Sequence, residues 1–303
     1  MSAPAADPNA GDRAPSAWTV RVLVAVLCVI WSSTWWAIRV CLEDLPPCTA
    51  AATRFLLAGA LMVPATALLR RREPAPAPPA WLWMVLGLCN FALSYGILYA
   101  TETRVPSGIA AVLWAVFPVL MALSGRWFLG EALRPRQALG FAVAFAGTVA
   151  MFAGDLGGDR AAILPYALLL LLSPLVSTVG TTLVKRHGSG SSSLLLNRNA
   201  MLFGGALLGL AALLLERDAA VHWTPRALVA TGFLAAIGTA LTFGLYFWLL
   251  RWSQASRLSL IAYVTPCLAL AFGWLVGDGT VDAFTLGGTA LTVCGIALVV
   301  RRS

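Results

Sequence analysis

"AAVLWAVFPVLMALSGRWFLGEALRPRQALG", residues 110 to 140, has a counterpart later in the same chain: "LSLIAYVTPCLALAFGWLVGDGTVDAFTLGG", residues 258 to 288. Superposing them matches Pro118 with Pro266, Gly125 with Gly273, Glu131 with Asp278 and Gly140 with Gly287, at offsets of 148, 148, 147 and 147. Upstream, Arg39 matches Lys185 at an offset of 146 and Arg54 matches Arg198 at 144. The register drifts by only a few residues, which points to a duplicated unit.

Composition states what is duplicated. Of 303 residues, 59% are apolar and only 11% charged, and the mean hydropathy is +0.82. Soluble domains carry roughly 25% charged residues. Apolar windows of about 20 residues, the length that crosses a bilayer core, recur from Val20 onward. Ten are expected, at 18-38, 48-69, 81-101, 105-127, 137-153, 162-184, 194-215, 226-250, 256-276 and 284-300. In lipid they must be helices, because no water is present to satisfy the backbone of an open strand. The Ala- and Pro-rich start, residues 1-17, cannot bury a core and reads as a disordered cytoplasmic tail rather than a cleaved leader.

The fold class is therefore all-α integral membrane, with ten transmembrane helices as two five-helix repeats, 18-153 and 162-300. Five is odd, so the second repeat enters the bilayer inverted. With the N-terminus inside, fifteen of the 21 Lys and Arg residues fall in cytoplasmic segments and five outside, which places both termini in the cytoplasm. The loop after the fourth window carries Arg126, Arg134 and Arg136, whereas its counterpart carries Asp278 and Asp282. Inverted repeats belong to alternating-access transporters, whose solute site lies where the halves meet.

"WSSTWWAIR" at 31-39, "LPP" at 45-47, "ATRFLLAGALM" at 52-62, the run from Leu98 to Leu123 and "FLGEALRPRQALGFAVAFAGTVAM" at 128-151 resemble the EamA-type drug/metabolite transporter superfamily. The resemblance covers nearly the whole chain after residue 18 and implies a multi-pass permease of the bacterial inner membrane. It further implies export of small metabolites, among them neutral or aromatic amino acids, or of drug-like solutes. Asp278, where a Glu is common, and the lack of Trp in the sixth window depart from the pattern.

Several other chemistries find no support in the residues. There is no phosphate-binding Gly-rich loop, no His-Glu-x-x-His and no Cys/His spacing for a metal, so neither an enzyme nor a cofactor is expected. The net charge of +8 is spent on topology rather than on nucleic acid. The expected partners are a small-molecule substrate and the lipid bilayer, with a monomeric protein. The other reading is a membrane protein that senses a ligand without moving it.

Polar and aromatic residues inside the windows mark the candidate site. Trp31, Trp35 and Arg39 share one helical stripe at i, i+4, i+8, and the repeat register pairs them with Ser177, Thr181 and Lys185. Trp35 and Trp36 lie close to Arg39, where an interfacial belt accounts for them; Trp31 is about 12 Å deeper. Asn90, Tyr95, Tyr99, Trp114, Tyr246 and Tyr263 complete the expected substrate-binding set, each with interhelical packing as its alternative. Arg39, Arg54 and Glu102 are expected as vestibule charges. Pro118 and Pro266 each remove a backbone hydrogen bond and are expected as hinges.

Overall fold

The computed structural model describes residues 15–69, 75–105, 110, 113–151, 160–276 and 283–300. Within them the chain is all-helical and contains no strand. Ten helices are α1 (Ala17–Leu42), α2 (Pro47–Leu69), α3 (Ala80–Glu102), α4 (Phe117–Phe128), α5 (Pro135–Met151), α6 (Arg160–His187), α7 (Ser193–Leu215), α8 (Pro225–Trp252), α9 (Ile261–Val276) and α10 (Ala283–Val300). A single helical turn, Ala255–Leu258, precedes α9. Most of the tail expected to be disordered, and the loop bearing Asp278 and Asp282, lie outside the described residues.

Six of these helices, α1, α2, α3, α6, α7 and α8, are long and apolar enough to cross a membrane. Two others begin later than their apolar windows suggest, for a local reason. Pro118 occupies the first turn of α4, where its missing N–H is harmless, and the chain turns at 115–116 just before it. It therefore starts a helix rather than kinking one. Pro266 does lie inside α9, and the turn at 259–260 separates that helix from Ala255–Leu258.

Helix starts are set by side chains that accept the otherwise unpaired first N–H groups. Ser16, Ser192 and Thr224 cap α1, α7 and α8 through their hydroxyl oxygens. At the start of α2 the acceptor is remote in sequence: the Glu216 carboxylate takes the N–H groups of Cys48 (2.6 Å) and Thr49 (2.8 Å). Glu131 does the same for Ala255 (2.6 Å) and Ser256 (3.2 Å). A carboxylate at a helix N-terminus also meets the positive end of the helix dipole.

Packing is organised by pairs. α1 lies against α8 and α9, and α6 against α3 and α4; α2 contacts α8 as α7 contacts α3; α2 also packs on α7 and α5 on α10. Small residues allow the closest approaches. A Cβ on Gly140 would stand 2.8 Å from the Gly295 carbonyl oxygen across the α5–α10 seam, and one on Gly205 would stand 2.9 Å from the Leu56 nitrogen across α2–α7. Gly209, one turn further along α7, has nothing within 4 Å.

The distribution of polarity is the reverse of a soluble protein's. Leu213, Leu215 and Val229 are 74%, 78% and 73% exposed, whereas Arg54, Asn90, Asn197, Thr239 and Thr242 are buried. An apolar exterior with hydrogen-bonded polar groups inside suits lipid as the surrounding solvent.

Candidate functional site

α3 and α8 each contain a π-helical segment at mid-length, Gly87–Leu93 and Ala236–Leu241. Widening the helical turn displaces a carbonyl from the regular ladder and re-aims the neighbouring side chains. In α3 the segment carries Asn90, whose amide nitrogen donates to the Ser177 hydroxyl (3.0 Å) and the Thr181 hydroxyl (3.0 Å) on α6. In α8 the Gly238 carbonyl accepts from the Thr242 hydroxyl (2.8 Å) and from Arg54 Nη2 (3.2 Å).

Between these segments lies a cavity of about 800 Å³, counting the space at its mouth. α1 contributes Trp31, Thr34, Trp35 and Ile38; α3 contributes Asn90, Tyr95 and Leu98; Trp114 comes from just before the turn at 115–116 and Phe117 from the start of α4. Across from them stand Ser177 and Thr181 of α6, Phe243 and Tyr246 of α8, and Leu258, Ser259, Ile261, Ala262 and Thr265 around the start of α9. α2, α5, α7 and α10 contribute no lining residue among those described. No charged side chain lines the cavity among the described residues.

Aromatic groups are fixed by hydroxyls. Trp31 Nε1 donates to Thr242 Oγ1 (3.0 Å), and Trp114 Nε1 donates to Ser173 Oγ (3.1 Å). The Trp31 ring centroid lies 5.4 Å from those of both Phe243 and Tyr246, in tilted arrangements. The Tyr246 hydroxyl is buried and has no hydrogen-bond partner among the described residues. Such a group is costly to leave unpaired in a dry wall, and a solute with a polar end would satisfy it.

The structure thus brings eight of the ten expected substrate-binding residues to one cavity: Trp31, Trp35, Asn90, Tyr95, Trp114, Ser177, Thr181 and Tyr246. Two stand elsewhere. Tyr99 is fully buried behind the wall, its hydroxyl accepting from Arg54 Nη1 (3.1 Å). Tyr263 donates its hydroxyl to the Phe141 carbonyl (3.1 Å) and packs beside α5. Each tyrosine serves the helix packing that was its alternative reading. Phe243 and Phe117 were not foreseen, since an apolar ring on an apolar helix carries no distinguishing signal.

The expected vestibule charges separate. Arg54 is 1% exposed and lies inside the protein, held by Thr239 Oγ1 (2.7 Å), Tyr99 and Gly238. Arg39 is exposed, and Glu102 is partly covered with one carboxylate oxygen buried and unpartnered. The ion pairs among the described residues are made instead by Arg226, with Glu43 (2.8 Å) and Asp44 (2.7 Å). Hydrogen bonds from Arg226 first, then from Thr224, hold the Asp44 carboxyl at about 2, below its ordinary 3.8. At the other end of the molecule, Lys185 Nζ donates to the carbonyls of Leu250 (2.6 Å) and Ser253 (2.8 Å), closing α6 against the end of α8.

An apolar helical exterior around an uncharged aromatic cavity defines a multi-pass membrane protein with a solute-sized interior site. The chain belongs to the EamA-like transporter family, whose model matches it twice, at residues 19–153 and 164–301. It is 28% identical over 275 residues to the uncharacterized inner membrane transporter YedA of Escherichia coli K12, covering 90% of this chain and 88% of that protein. It is 26% identical over 287 residues to the uncharacterized transporter YvbV of Bacillus subtilis, covering 93% and 92%. One protein crystal structure shares the fold at a TM-score of 0.80, with 18% identity, over 94% of this chain and 98% of that one. The protein is a membrane transporter.

Proposed function

We propose that the chain is a secondary transporter that moves small organic solutes, neutral or aromatic amino acids or drug-like compounds, across the bacterial inner membrane by alternating access, in the outward direction. Its ten helices work as two inverted five-helix halves, 18–153 and 162–300, with both termini in the cytoplasm. The observation that carries this reading is the cavity's parentage: α1, α3 and α4 from one half and α6, α8 and α9 from the other. Helix contacts support it, because the pairs α1–α8, α1–α9 and α2–α8 have mates in α6–α3, α6–α4 and α7–α3. So does the family model's two-fold match.

Motion follows from the breaks. The turns at 115–116 and 259–260, each followed by a proline at 118 or 266, leave backbone groups without a full helical ladder. Rocking of α3–α4 and α8–α9 about these points would expose the cavity to one side and then the other. Lys185, on the carbonyls that end α8, holds the cytoplasmic side shut in this conformation. The test is exchange of labelled solute into preloaded proteoliposomes; a protein that binds such solutes but exchanges none is a sensor and not a transporter.

A further inference from the structure

Arg54 is a buried cation one side chain behind the cavity wall. Its guanidinium lies 4.8 Å from the centroid of Tyr95, a lining residue, and 5.4 Å from that of Phe55. A second route reaches the wall through Gly238, whose carbonyl takes both Arg54 and Thr242, the latter holding Trp31. The hydrogen-bonding groups around Arg54 among the described residues are neutral: Thr239, Tyr99 and Gly238, with Tyr95 beside them. Among the described residues no carboxylate comes within ion-pair distance of it. Glu102, at the end of α3, lies within its field; it has a buried carboxylate oxygen with no partner and, among the described residues, makes no ion pair. The positive charge is therefore uncancelled at contact distance, in surroundings that screen it poorly.

The cavity wall also offers a donor, on α8. Tyr246 is 4% exposed, and its hydroxyl has no partner among the described residues. It lies beside the Trp31 and Phe247 rings. We propose that the cavity selects solutes with an anionic group on a planar apolar body, the Tyr246 hydroxyl donating to the anion and Arg54 disfavouring cations of the same size. This selectivity rests on the cavity being the transport site. Arg54 touches no solute and acts as a specificity-determining residue through its field; Tyr246 makes the contact.

Three probes of one shape separate charge from size: 3-phenylpropionate, 3-phenylpropan-1-ol and 3-phenylpropylamine. Titration calorimetry on the full chain in nanodiscs is expected to show the acid binding about tenfold or more tighter than the amine, with the alcohol between them. Arg54→Gln should bring acid and amine to within about threefold, and Arg54→Lys should keep the order. Tyr246→Phe should weaken the acid about fivefold and leave the amine unchanged, which keeps the test valid if Arg54→Gln fails to fold. Amine binding as tight as acid in the wild type overturns the proposal. So does an unchanged ratio in folded Arg54→Gln, or no binding of any probe by protein that exchanges another solute in a Trp31-dependent way. Absence of exchange for every solute overturns the transport reading instead.

Discussion

The indole N–H of Trp31 donates to the hydroxyl of Thr242 across 3.0 Å, and that hydroxyl donates in turn to the Gly238 carbonyl in the π segment of α8. The irregular turn of α8 thereby fixes the orientation of the deepest tryptophan of α1. Thr242→Val keeps the shape and removes the acceptor, leaving the indole N–H unpaired in a buried wall. Solute exchange should show a KM raised about five- to tenfold with the expression level preserved, the loss of about one buried hydrogen bond. An unchanged KM would mean that Trp31 needs no such anchor.

Lys185 caps the end of α8 with its three donors, and a methionine there fills the same space without donating. On the proposed topology, Lys185→Met should loosen the closure of α6 against α8 at the cytoplasmic end. A cysteine placed at Ser189, in the adjoining crevice, should then react several-fold faster with a membrane-impermeant maleimide applied from the cytoplasmic side. Equal rates with and without Lys185 would assign the lysine to static packing.

The seam between α5 and α10 tolerates no side chain at Gly295, where a Cβ would collide with the Ala144 nitrogen and the Gly140 carbonyl. These are backbone atoms, so nothing can yield. Gly295→Leu should lower the midpoint of thermal aggregation in detergent by many degrees or abolish monodisperse protein. Gly209→Ala, with nothing within 4 Å, should hold or raise it, by at most about 1 kcal/mol of helix propensity.

Asp44 ties the loop after α1 to Thr224 and Arg226 at the start of α8. Its carboxyl is held at about 2, below the ordinary 3.8, so the folded state binds the proton less readily than the unfolded chain. The stabilisation is complete above the ordinary value and fades as pH falls through about 2. Acidifying detergent-solubilised protein from about pH 7 to about pH 5 should therefore leave protease resistance of this loop unchanged, while Asp44→Asn should expose it at both pH values. Rising cleavage of the wild type across that range would contradict the assignment.

Much of this site is legible in the chain because helical spacing is a local property. Trp31 and Trp35, and likewise Ser177 and Thr181, stand four residues apart, and each pair reaches the same cavity. Tyr99 and Tyr263 were misplaced because the partner that fixes a buried phenol, Arg54 in one case and the Phe141 carbonyl in the other, comes from another helix. The π segments leave no mark in apolar periodicity, and Glu131 and Glu216 look like ordinary loop acids until folding brings them to the N–H groups they accept. Arg54 reads as an outer charge by its position near the start of α2, yet tertiary packing surrounds it completely.

The most direct test compares Trp31 with Trp36. Trp31 lines the cavity, whereas Trp36 is 68% exposed on the outside of the same helix. Counterflow in proteoliposomes, screened across amino acids, aromatic acids and lipophilic cations, should find at least one exchanged solute. Trp31→Ala should cut its exchange rate at least about tenfold, the cost of one lost aromatic wall, and Trp36→Ala should match the wild type. Exchange that is equally fast in all three proteins, or lost equally in both variants, would contradict a transport site in this cavity.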